Sequence, residues 1–74
     1  MELIATTPTG TEFKIWGRDS GIHFDCTVDA VLPYDENNAD HVKYHRHKEH
    51  PADQDACDTC CNTLKTKIEA GEDL

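Results

Sequence analysis

Seventy-four residues hold one domain and no second core, and an apolar content of 36% keeps that core small. A domain of this size buries only about 60% of its unfolded surface, so a staple such as a bound metal would add needed stability. Fifteen acidic residues against seven basic ones give a formal charge of −8. This charge keeps the chain soluble, opposes compaction and disfavours a general nucleic-acid binder, whose affinity comes from Lys and Arg on phosphates.

The first residues carry no basic segment followed by an apolar run, and no stretch approaches the ~20 apolar residues that cross a bilayer. The expectation is a cytoplasmic protein in a reducing compartment, with no membrane partner. There, four cysteines more often mean metal sites or free thiols than disulfides.

Residues 2–7, 12–17 and 22–32 read as three strands, joined by turns at Thr7-Pro8-Thr9-Gly10 and Arg18-Asp19-Ser20-Gly21. Phe13 and Ile15 alternate with Lys14 and Trp16. In the third strand Ile22, Phe24, Cys26, Val28 and Ala30 share one face and His23, Asp25, Thr27 and Asp29 the other, the period of a half-buried antiparallel strand. Pro33 to Asn38 break the pattern. Residues 33–50 then form a His-rich loop or a short helix over 39–48, in which Val42 and Tyr44 build no wide apolar stripe. Residues 41–50 carry Lys43, Arg46, Lys48 and four histidines against the single acid Glu49, a basic island in an acidic chain.

The last element, 51–71, reads as a helix. Pro51 suits its first turn, and Asp53, Asp55 and Asp58 lie toward the positive end of its dipole. Cys57, Cys60, Cys61, Leu64 and Ile68 line one face, Gly71 stops it, and residues 72–74 are expected to fray. A sheet with one apolar face and a helix with one apolar stripe predict an α+β fold: a three-stranded antiparallel meander of residues 2–32 packed against the C-terminal helix, in a single domain of 1–74.

The chemistry concentrates in the second half, where His41, His45, His47 and His50 run into Cys57-Asp58-Thr59-Cys60-Cys61. Zinc takes four N or S donors in a tetrahedron, and the Cys57-x-x-Cys60 spacing lets two thiolates reach one ion. Cys26, aimed inward by strand alternation, and His47, far enough from the helix head to turn back, complete a structural zinc site of Cys26, His47, Cys57 and Cys60. His50, His45, His23 and Cys61 are the alternative ligands; the His23/Cys26 pair competes with strand geometry, which places those two side chains on opposite faces. The same helical phase also arises in a core of reduced thiols, or with a disulfide such as Cys26 to Cys60. A thioredoxin-like use of the C-x-x-C needs a strand-to-helix junction that this chain has little room for.

Zincin, deaminase and phosphate-loop signatures are absent, so no catalytic residue is assigned and no enzymatic activity is expected. The first functional expectation is an acidic, zinc-stabilised protein-interaction module that meets a basic protein surface through Trp16, Asp25, Asp29, Asp35 and Glu36. The second is a nucleic-acid mimic, an inhibitor of viral or mobile-element type whose carboxylates (Asp19, Asp25, Asp29, Asp35, Glu36, Asp40) stand in for phosphates. The third, a zinc-assisted nucleic-acid binder using residues 43–48, runs against the overall charge.

Overall fold

A computed structural model describes all of residues 1–74. Strand β1 spans Glu2–Thr6, β2 Glu12–Asp19 and β3 Phe24–Ala30; helix α1 follows at Ala39–Tyr44, then a two-residue strand β4 at Lys48–Glu49 and helix α2 at Gln54–Glu69. The sheet is antiparallel in the order β1-β2-β3-β4. The α+β layer expected from sequence is present, with four strands rather than three.

The first turn closes where expected: the Gly10 N–H donates to the Thr7 carbonyl at 2.9 Å, with Gly10 at φ 88°. The second lies two residues later than expected, because β2 runs on to Asp19. Ser20 donates to the His23 carbonyl and Gly21 takes the left-handed φ of 85° that glycine tolerates. That shift leaves Ile22 outside the strand and 91% exposed, off the core face that alternation assigned to it.

The core lies between the sheet and α2. Ala5, Phe13, Ile15, Cys26 and Val28 face Cys57, Cys61, Leu64 and Ile68, and Tyr44 comes down from α1. Tyr44 belongs to the interior: its ring meets Phe13 edge-on at 5.5 Å and its hydroxyl donates to the Glu72 carbonyl at 2.7 Å. Residues 72–74 are correspondingly docked, with Leu74 packed on the core, instead of fraying. Gly17 stands opposite Cys26 in the β2–β3 register, and a Cβ there would sit 2.8 Å from the Cys57 sulfur. Glycine at this position lets the thiol-bearing helix approach the sheet backbone.

Helix α2 begins at Asp53, whose side chain accepts from the Ala56 N–H at 2.8 Å, and ends at Ala70 before Gly71, φ 71°. On its flank, the Lys65 ammonium donates to the Ile4 carbonyl of β1 at 2.9 Å while Glu69 holds it at 2.8 Å. Helix α1 is shorter than the expected 39–48 and is capped by the Asn38 side chain. After it the chain reverses through Arg46, a non-glycine residue at φ 65°, and the backbones of Arg46 and His47 pair with Val28. This reversal lays β4 against β3, with Cys26 opposite Glu49 and Thr27 opposite Lys48.

Candidate functional site

The side chains singled out in sequence are distributed over three places. The thiols are interior. Cys26 and Cys61 lie 3.3 Å apart, the Cys57 thiol donates toward the Asp25 carbonyl at 3.5 Å, and Cys60 is half-buried. All four are free. Burial pushes the Cys57 and Cys60 thiols up from their ordinary range, and Cys26 is raised furthest, by burial together with the neighbouring Cys60 and Cys61 thiols.

The four expected zinc ligands are not gathered into one shell. His47 is tied by its backbone to Val28, and its Nε2 lies 2.8 Å from a Glu49 carboxylate oxygen. His45 and His41 are internal acceptors: Nδ1 of His45 takes the Ala30 N–H and Nδ1 of His41 the Asp35 N–H, each at 3.0 Å. One trio of His, Cys, Asp or Glu side chains does have donor atoms all within 4.8 Å of one another, and it is His23, Asp25 and His50. His23 Nε2 and His50 Nδ1 meet the same oxygen, Oδ1 of Asp25, at 2.8 and 2.9 Å. The Arg18 guanidinium donates to the other oxygen at 2.8 Å.

Asp25 was expected on the exposed, partner-facing set, but its side chain is 2% exposed with both oxygens engaged. The Arg18 hydrogen bond holds its carboxyl below the usual carboxylate range against the upward push of burial, and His23 and His50 add to the lowering. Trp16, also expected to face a partner, donates Nε1–H to Asp29 at 2.8 Å, and Lys14 and Arg18 flank its ring at 5.9 and 5.8 Å. Trp16 and Asp29 satisfy each other. Asp35 and Glu36 remain exposed in the loop after β3.

That loop carries a surface the sequence reading did not single out. Val31, Leu32, Tyr34 and, from α1, Val42 are exposed, Leu32 at 71%. Beside them lies an open cleft of about 480 Å³, lined by Leu32 and Pro33, floored by His41 and edged by the carboxylates of Glu12 and Asp35. Tyr34 stacks on His45 and His41, with ring centroids at 5.0 and 6.0 Å, and with Val42 and Arg46 it lines a second, smaller cleft that shares His41 with the first. The sequence signal was present in Val31-Leu32-Pro33-Tyr34: an apolar run that continues past the strand into a proline-broken loop has no sheet face to bury it.

No helix is long and apolar enough to cross a membrane. No protein-family model, curated protein or solved structure matches the chain.

Proposed function

We propose that this chain is a small, acidic, non-catalytic protein-interaction module of a reducing intracellular compartment, and that its binding surface is the β3–α1 loop with the adjoining cleft. The observation that carries this reading is the exposure of Leu32 at a cleft whose charged groups are the carboxylates of Glu12 and Asp35, with the exposed Tyr34 and Val42 lining a second cleft that shares His41 with it. Contiguous exposed apolar side chains rimmed by charge are what an interaction site presents, and a stacked tyrosine offers contact area at low entropic cost. The chemistry selects a partner segment that alternates Lys or Arg with apolar side chains. The net charge of −8 draws such a partner in at long range.

Buried thiols with raised pKa values support the non-catalytic part, since burial withholds the thiolate from chemistry. The mimic reading loses support because Asp25 and Asp29, two of its charges, are committed to Arg18 and Trp16. Part of the basic island is already engaged, with Lys43 on Asp73 and the Gly71 carbonyl and His47 beside Glu49, and the net charge of −8 weighs further against nucleic-acid binding.

A peptide array that varies basic and apolar positions, probed with the purified protein, tests the reading. Enrichment of basic–apolar segments, with binding reduced more than tenfold by Leu32→Asp and by Asp35→Asn, is the expected outcome. Absence of enrichment, or Leu32→Asp binding like the parent, overturns it.

A further inference from the structure

We propose that His23, Asp25 and His50 form a binding site for a divalent first-row transition metal, with zinc as the reference ion, on the sheet face away from the thiol core. Three elements of the chain deliver the donors. Asp25 comes from inside β3, His23 from the residue just before it, and His50 from the residue just after β4. His23 and Asp25 stand two apart and so project to the same side of the sheet. The Lys48–Glu49 pairing with Thr27 and Cys26 fixes how far along β3 the chain has travelled when it reaches His50.

The carboxylate is the fixed member of the trio. Arg18, its partner in the β2–β3 register, holds the oxygen that the imidazoles leave free, which orients Oδ1 toward them. Supporting hydrogen bonds of this kind typically set the direction of a ligating carboxylate. The imidazoles are the adjustable members, with side chains 44% and 55% exposed and rings in edge contact at 4.3 Å. Donors at about 2.0–2.1 Å from a tetrahedral zinc lie roughly 3.3 Å from one another. Each ring nitrogen therefore has to retreat from Asp25 Oδ1 by about half an ångström from the present 2.8 and 2.9 Å, a small rotation for an exposed side chain. The ion takes the place of whatever proton bridges ring and carboxylate, and both rings bind it as neutral imidazoles.

Two nitrogens in three donors select zinc, copper, nickel or iron over magnesium and calcium, which prefer all-oxygen sites. Three protein ligands leave a coordination position open toward solvent. The ion would also clamp the β2–β3 turn to the segment following β4, the shortest strand of the sheet.

Isothermal titration of the chelator-treated, reduced protein with zinc chloride is the test, with cobalt(II) absorption as an independent readout of donor type. One zinc per chain is expected, weakened at least tenfold by His23→Ala and by His50→Ala. Both residues are exposed, so neither change should unfold the domain, and circular dichroism checks that they do not. At zinc a hundredfold above the dissociation constant the melting temperature should rise by about 10 °C or more. Cobalt should show nitrogen and oxygen ligation without a sulfur charge-transfer band, and magnesium should give no heat. Zinc binding that survives both substitutions, a cobalt–thiolate band, magnesium binding of equal strength, or no stoichiometric zinc binding each overturns the proposal.

Discussion

Gly17→Ala probes the closest approach between the two layers. The φ of Gly17 lies outside the left-handed region, so alanine meets no backbone obstacle there. The obstacle is space: the new methyl would lie 2.8 Å from the Cys57 sulfur and 3.4 Å from that of Cys61, both fully buried. Forcing a methyl into a filled core typically costs about 1–3 kcal/mol. The restricted unfolded chain returns roughly 0.4–1 kcal/mol of that. A net loss of about 1–2 kcal/mol is expected, with a fall in melting temperature of about 4–16 °C for a domain of this length. Cys57→Ala alone, which deletes one buried atom, should cost about 1 kcal/mol, in the range of single-methyl deletions. The double variant is the decisive one. Removing the sulfur makes room for the new methyl, so Gly17→Ala/Cys57→Ala should be no less stable than Cys57→Ala by itself. Urea unfolding of the four proteins under reducing conditions gives the coupling directly, expected at about 1–2 kcal/mol. Additive losses, or a Gly17→Ala protein as stable as the parent, would refute the account of why glycine occupies this position.

Three further outcomes follow from the same geometry. Asp53→Ala removes the side chain that accepts from the Ala56 N–H, and should cost about 1 kcal/mol in chemical denaturation, while Asp53→Ser should restore most of it. Asp40 bonds to the Thr9 and Thr7 hydroxyls, and the Thr9 contact foremost holds its carboxyl below its ordinary value of 3.8 against the opposing effect of burial. Because the folded value is the lower one, this contribution is present above about pH 4 and is lost as pH falls through the folded value; Asp40→Asn should lower stability at pH 6 and flatten the acid limb of a pH–stability curve. Native protein treated with a thiol-reactive disulfide should label Cys60 first and the buried Cys26, Cys57 and Cys61 far more slowly, with all four reacting at once in denaturant. Equal native rates at all four would contradict the packing.

Local period carried much of the fold into the sequence. Phe13 and Ile15, Cys26 and Val28, and the Cys57-Cys61-Leu64-Ile68 stripe all lie in the core that alternation and helical phase assigned to them. The misses arise where one residue's position depends on a distant partner. Lys48-Glu49 is polar and two residues long, so nothing local marks it as a strand; it exists because Arg46 turns the chain back onto Val28. His50 reaches Asp25, twenty-five positions away, only once that pairing is set. His23 and His50 both stood among the alternative ligands in the sequence, but nothing local joined them to Asp25, which alternation assigned to the outward, partner-facing set. Tyr44 was legible as aromatic and not as buried, since its pocket is made by Phe13 from the sheet and its hydroxyl partner by the last residues of the chain.

The first strand borders the sheet with no neighbour on its far side, an arrangement that in other proteins invites copies to add strand to strand. Here the Lys65 ammonium already sits on the Ile4 carbonyl. A molecule arriving along that margin would have to dislodge a cation that Glu69 anchors, and then seal its charge into a newly dry seam. A single helical side chain reaching across to the outermost strand thereby takes one main-chain acceptor out of reach of an incoming strand.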